Sequence, residues 1–139
     1  MQVIAGVLRA VGVRRTDAVA KTYALDATQI KPGLAPNRGG CLATDDVTVR
    51  GLGVGFMYRE EGANPLDSGW RFFSGRESQE YLDDPTKSGV YDVNTIANYA
   101  PDIIEWLDAP PGAAFERGAD GALQRIEEFP FPRNGSEAS

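Results

Sequence analysis

The chain has 139 residues, 42% of them apolar and 24% charged, which bounds it to one globular domain able to bury about two-thirds of its unfolded surface. It has no histidine and one cysteine, Cys41, so an internal disulfide, a Cys/His zinc site and His-dependent nucleophilic catalysis are excluded. Charge is divided along the chain: residues 1–38 carry six basic against two acidic side chains (+4), and residues 39–139 carry eight against 18 (−10), a balance that disfavours nucleic acid and either speeds encounter with a cationic partner or serves solubility alone.

In chain order, residues 1–38 read as a basic arm and linker. "TDAVAKTYALDATQI" has near-helical spacing of apolar residues and opens at Thr16 or Asp17, while "KPGLAPNRGG" breaks regular structure with two prolines and three glycines. No apolar stretch is long enough to cross a membrane, and no clean small-residue cleavage site follows the opening apolar pieces, so the expected location is cytoplasmic. A domain is expected over 39–129, followed by a frayed tail at 130–139.

Within the domain, "CLAT" reads as a strand, Asp45 and Asp46 as an acidic turn, Val47 to Val49 as a second strand and Gly51 to Gly53 as a turn. A strand from Val54 to Glu60 places Val54, Phe56 and Tyr58 on one face and Met57 and Arg59 on the other. "DSGWRFFSG" continues the pattern, with Trp70, Phe72 and Ser74 opposing Arg71 and Phe73. "SGRE", Ser74 to Glu77, fits a capping box before a short helix ending ahead of Pro85. Asp92 is placed to cap "VNTIANY", Pro101 and Asp102 to open another helix, and Asp120-Gly121 to turn a closing hairpin. The fold class is α+β: an antiparallel, aromatic-rich sheet against two or three short helices.

Three clusters are candidate contact residues. Glu60, Glu61, Asp67, Trp70 and Arg71 gather at one rim of the expected hairpin, where Trp and Arg suit a partner hot spot or Arg71 bridges to Glu60 or Asp67 and holds the turn. Asn94 and Asn98 lie four apart on one helix face and either meet a ligand or satisfy loop backbone. Tyr81 and Tyr99 are further aromatic anchors. No spaced Asp loop for calcium is present, and "RGLGVG" lacks the Lys-Ser/Thr of a phosphate loop. No catalytic, metal or cofactor residue is singled out.

Six blocks in order, "GGCLATD", "VGFMYREE", "DSGWRFFSG", "EYLDDP", "YDVNTIANYAPDII" and "GAAFER", resemble immunity protein 33, a family grouped with bacterial polymorphic toxin systems. The likeness covers about residues 39–117. It implies a small α+β protein that binds and neutralises a cognate toxin, without enzymatic activity. On that reading an acidic face drawn from Glu60, Glu61, Asp67, Asp83, Asp84, Asp102, Glu105 and Asp108 steers a basic toxin, and Trp70, Tyr81 or Tyr99 anchors it. Two alternatives stand beside it: a carboxylate-based hydrolase using Glu60, Asp67 or Asp92, and an accessory domain whose basic arm docks a partner or a second copy.

Overall fold

The fold follows from alternation. In a strand successive side chains face opposite ways, so a sheet with apolar residues at every position must be covered on both faces. The computed structural model describes residues 21–127 and contains six strands: β1 (Gly40–Thr44), β2 (Phe56–Arg59), β3 (Asp67–Phe73), β4 (Ser88–Asp92), β5 (Ala114–Arg117) and β6 (Leu123–Arg125). They form one sheet in the order β4-β1-β3-β2-β5-β6. The helices are short: α1 (Asp45–Thr48), α2 (Gln79–Leu82), α3 (Val93–Tyr99), and 3-10 turns at Ala27–Gln29, Pro85–Lys87 and Pro101–Trp106.

The α+β class holds, but the sheet is mixed. β1 and β3 run parallel, whereas every other ladder is antiparallel. The cause is that the β2–β3 hairpin offers its second strand to β1, while α1 and the Gly-rich loop carry the chain across from β1 to β2. Val47 to Val49, expected as a strand, lie in α1 and its C-terminal cap. Asp45 and Asp46 sit in the first turn of that helix, at its positive end. Gly51 to Gly53 therefore join a helix to a strand, not two strands. The expected helix over 16–30 is absent from residues 21–26 and reduced to the 3-10 turn at Ala27–Gln29, while residues 16–20 lie outside the described residues, as does the tail at 130–139.

One sheet face carries Cys41, Ala43, Met57, Trp70, Phe72 and Phe115 and packs on Val93, Ile96 and Ala97 of α3 and on Ile103 and Leu107. The other carries Leu42, Phe56, Tyr58, Phe73 and Ala114, with Leu82 of α2 and Ile126 against them. Its rings interlock: Phe56 and Phe73, paired across the hairpin, have centroids 5.7 Å apart, and Tyr58 stacks on Phe73 at 5.8 Å, geometries that add to area burial. Each fully buried ring contributes roughly 1.5–3 kcal/mol through removal from water. Cys41 is buried in the first cluster, and loss of hydration raises its thiol well above the ordinary range.

A bulge lies where β1 meets β3. Gly40 pairs with Asp67 and Leu42 with Arg71, so two steps on β1 match four on β3. Gly69 sits within it at φ 88°, and a Cβ there would lie 2.0 Å from the Glu60 carbonyl oxygen. Gly121, in the turn between β5 and β6, has nearly the same φ of 87° but open space around the Cβ position. Gly121→Ala should therefore cost only the left-handed backbone preference, about 1 kcal/mol, and Gly69→Ala about 3 kcal/mol or more, a difference read directly from urea midpoints.

Candidate functional site

At the loop end of the β2–β3 hairpin the Arg71 guanidinium is 4% exposed, a position that requires complete pairing. Its Nε donates to Glu60 at 2.6 Å, Nη1 to Asp67 Oδ1 at 2.9 Å and to the Trp70 carbonyl at 3.1 Å, and Nη2 to Asp67 Oδ2 at 2.8 Å. Asp67 also accepts the amides of Ala63 and Gly69. Partial burial by itself would raise the Asp67 pKa, yet the Arg71 and backbone donors outweigh it and hold it at about 2. Trp70, 1% exposed, donates its indole N–H to Leu107 O at 3.3 Å, and the Arg59 guanidinium lies 5.7 Å from its ring centre. Trp70 and Arg71 are thus a core ring and the centre of a turn clamp, not surface anchors; Glu61 alone of this cluster is exposed.

Asn94 and Asn98 turn toward the chain itself. Their side-chain oxygens accept the amides of Ala35 and Lys31, each at 2.8 Å, and both Nδ2 groups donate to the Lys31 carbonyl. Tyr99 meets the backbone of Leu25. These three side chains fasten residues 25–35 to α3, and Ala35 enters the main core. Asp92 caps α3 through the Asn94 amide at 2.8 Å.

Tyr81 has a different setting. It is half-buried on α2; its burial, followed by the negative charges of Asp46 and Asp45, moves its pKa above the ordinary value. The Lys87 ammonium stands 5.8 Å from the ring centre. Glu80 and Asp83 beside it are exposed and make no ion pair among the described residues. Other acids from the expected face are engaged: Asp102 holds Arg117, Asp108 holds Arg38, and Asp84 caps Thr86. Glu61 and Glu105 are exposed.

Next to α2 opens a groove of about 560 Å³ that runs over the ends of β2, β3 and β5. Val54, Phe56, Phe73 and Leu82 form its floor, Leu52, 40% exposed, stands at its mouth, and Arg76, Glu77 and Glu116 rim it. Glu77 fixes the rim by accepting the amides of Ser74 and Gly75 and the Thr44 hydroxyl. This is the back-reaching half of the expected capping box, although Ser78, not Ser74, caps α2. The groove is assembled from four separated segments, 52–56, 73–77, 82 and 116–118, and no local signal in the sequence marks it.

Among the described residues no group of three or more metal-binding side chains converges, and no helix is long and apolar enough to cross a membrane. The clamp has a pH signature. Because Asp67 is held at about 2 in the folded chain against 3.8 ordinarily, its stabilising contribution is complete above about pH 4 and disappears as pH falls toward 2. Urea titrations across that window should show Asp67→Asn losing about 2 kcal/mol less than the parent between those limits.

Comparison with known proteins adds one finding. Residues 41–127, more than half the chain, match the family model described as the Immunity protein Imm33 domain. No curated protein and no solved structure matches. The ordered sequence blocks, the α+β fold that they build and this match agree: the chain belongs to the Imm33 immunity protein family.

Proposed function

We propose that the protein neutralises a cognate bacterial toxin in the cytoplasm by covering it, without catalysis, and that the groove beside α2 with its acidic shoulder is the covering surface. Family membership supplies the toxin as partner class. The observation that carries the choice of surface is the coincidence of an open apolar groove with Glu80 and Asp83, two exposed acids that no cation of the described chain neutralises.

The two features do different work. Unpaired acids raise the encounter rate with a basic toxin, an effect that screening by salt removes, while a side chain seated on Phe56, Phe73 and Leu82 slows release. Tyr81, on the same short helix as the two acids, adds a half-buried aromatic ring to this side of the molecule. The clamp centred on Arg71 contributes by fixing the hairpin that forms the groove floor.

With the cognate toxin domain as ligand, Glu80→Lys combined with Asp83→Lys should lower the association rate about tenfold at low salt and much less at high salt. Leu52→Asp should instead raise the dissociation rate by about tenfold or more. Parental kinetics in both variants, measured by surface plasmon resonance, would overturn this surface.

A further inference from the structure

An edge strand presents one row of backbone donors and acceptors to whatever can pair with them. β4 is such a strand. Its antiparallel register with β1 pairs Tyr91 with Cys41 and Gly89 with Ala43, and the Val93 amide donates to Gly39 O at 3.0 Å. In an antiparallel ladder that pattern turns the backbone groups of Gly89 and Tyr91 inward and those of Ser88, Val90 and Asp92 outward. The outward groups are not equivalent. Ser88 O accepts the Lys21 ammonium at 3.2 Å, and Asp92 leads into α3, but the N–H and C=O of Val90 meet no partner among the described residues. The Val90 side chain is 51% exposed. Tyr23, 41% exposed, stands edge-on to Tyr91 on the opposite face, with ring centres 5.9 Å apart. The strand itself contains no proline, no lysine and no bulge, the usual devices that keep an edge unpaired.

We propose that two copies of this chain pair β4 against β4, antiparallel about a two-fold axis at Val90, so that the two six-stranded sheets become one. A second copy is the occupant because the strand is complementary to its own reverse. Val90, 51% exposed, faces Val90 of the second copy, an apolar cross-strand pair on the axis itself. Charge agrees. The Lys21 ammonium, fixed on Ser88 O and on Asp45 at 2.7 Å, comes to lie beside Asp92 of the second copy, and the symmetry repeats this contact. No two like charges are placed opposite each other within the strand pair, and an isologous contact closes on itself, so it yields a dimer and not a fibre. The groove beside α2 lies over β2, β3 and β5, with β1 between it and the paired edge, so both surfaces can be used at once.

Salt separates this contact from the toxin surface. Each copy carries a formal net charge of −6, so long-range repulsion opposes dimerisation and added salt strengthens it, the reverse of toxin association through the acids of α2. Sedimentation velocity from micromolar to near-millimolar protein should show a monomer–dimer equilibrium whose dissociation constant falls with salt. Val90→Pro removes the outward N–H while leaving the ladder to β1 intact, and Val90→Lys installs an edge guard. Each should raise the dissociation constant at least tenfold with the circular dichroism spectrum of the parent. If Val90→Pro fails to fold, Val90→Lys decides. The Val90 amide of the parent should also exchange more slowly with deuterium as concentration rises. A parent that stays monomeric at every concentration and salt, variants that dimerise as it does, or a dimer whose Val90 amide exchanges at the monomer rate would each overturn the proposal.

Discussion

The burial of Arg71 constrains more of this fold than any other single interaction. A guanidinium taken out of water costs several kcal/mol unless nearly every N–H finds an acceptor, and here the acceptors are Glu60 at the end of β2, Asp67 at the start of β3 and the Trp70 carbonyl. The loop between the two carboxylates must then close at a set length, and the β1–β3 register must slip so that Arg71 lands opposite Leu42. Gly69 makes that slip possible, since a side chain there would strike the Glu60 carbonyl. Removal of either carboxylate leaves part of the buried guanidinium without an acceptor, which destabilises by more than that bond contributes when intact. The clamp therefore specifies the hairpin as much as it stabilises it.

From the hairpin the two faces of the sheet diverge. The face bearing Trp70 and Phe72 is sealed by α3 and the 3-10 turn at Pro101–Trp106, and residues 25–35 are tied to α3 by Asn94 and Asn98. Such a closed layer can support a site but cannot form one. The face bearing Phe56 and Phe73 receives only the four-residue α2 and Ile126 from the described chain, and the groove opens at their margin. Sheet alternation thus places the sealed core and the candidate contact surface a single residue apart along β3, at Phe72 and Phe73.

How legible this was in the sequence depends on the range of the determining interaction. Local signals held: Asp92 caps α3, the period-2 pattern separates the faces of β2 and β3, although β2 starts at Phe56 and Val54 packs with Met57 instead of with Phe56 and Tyr58, and the turn at Asp120-Gly121 closes the last hairpin. Val47 and Thr48 are β-branched and suggested a strand, but Asp46 is buried with bonds to Arg50 and Ser74, partners that only the folded chain brings close. Trp70 and Arg71 looked like a hot spot because the same chemistry, a large ring beside a planar donor fork, serves a buried clamp equally well. Local composition cannot separate the two; the alternation could, since it sends Trp70 to the face that α3 covers. The groove was invisible for the opposite reason, as its walls come from segments more than sixty residues apart.

The distribution of charge has a final consequence. The −10 of the main body is not spread as one negative face: Arg71, Arg117 and Arg38 neutralise Glu60, Asp67, Asp102 and Asp108 locally, and paired charges contribute little to the field beyond a Debye length. What remains to act at a distance is a smaller set, with Glu80 and Asp83 beside the groove among its members. A steering field depends on the position of unpaired charge more than on its total. The strong acidity read from composition therefore overstates how much of the surface can attract a partner, and among the charges that survive pairing Glu80 and Asp83 are carried on the helix beside the apolar groove.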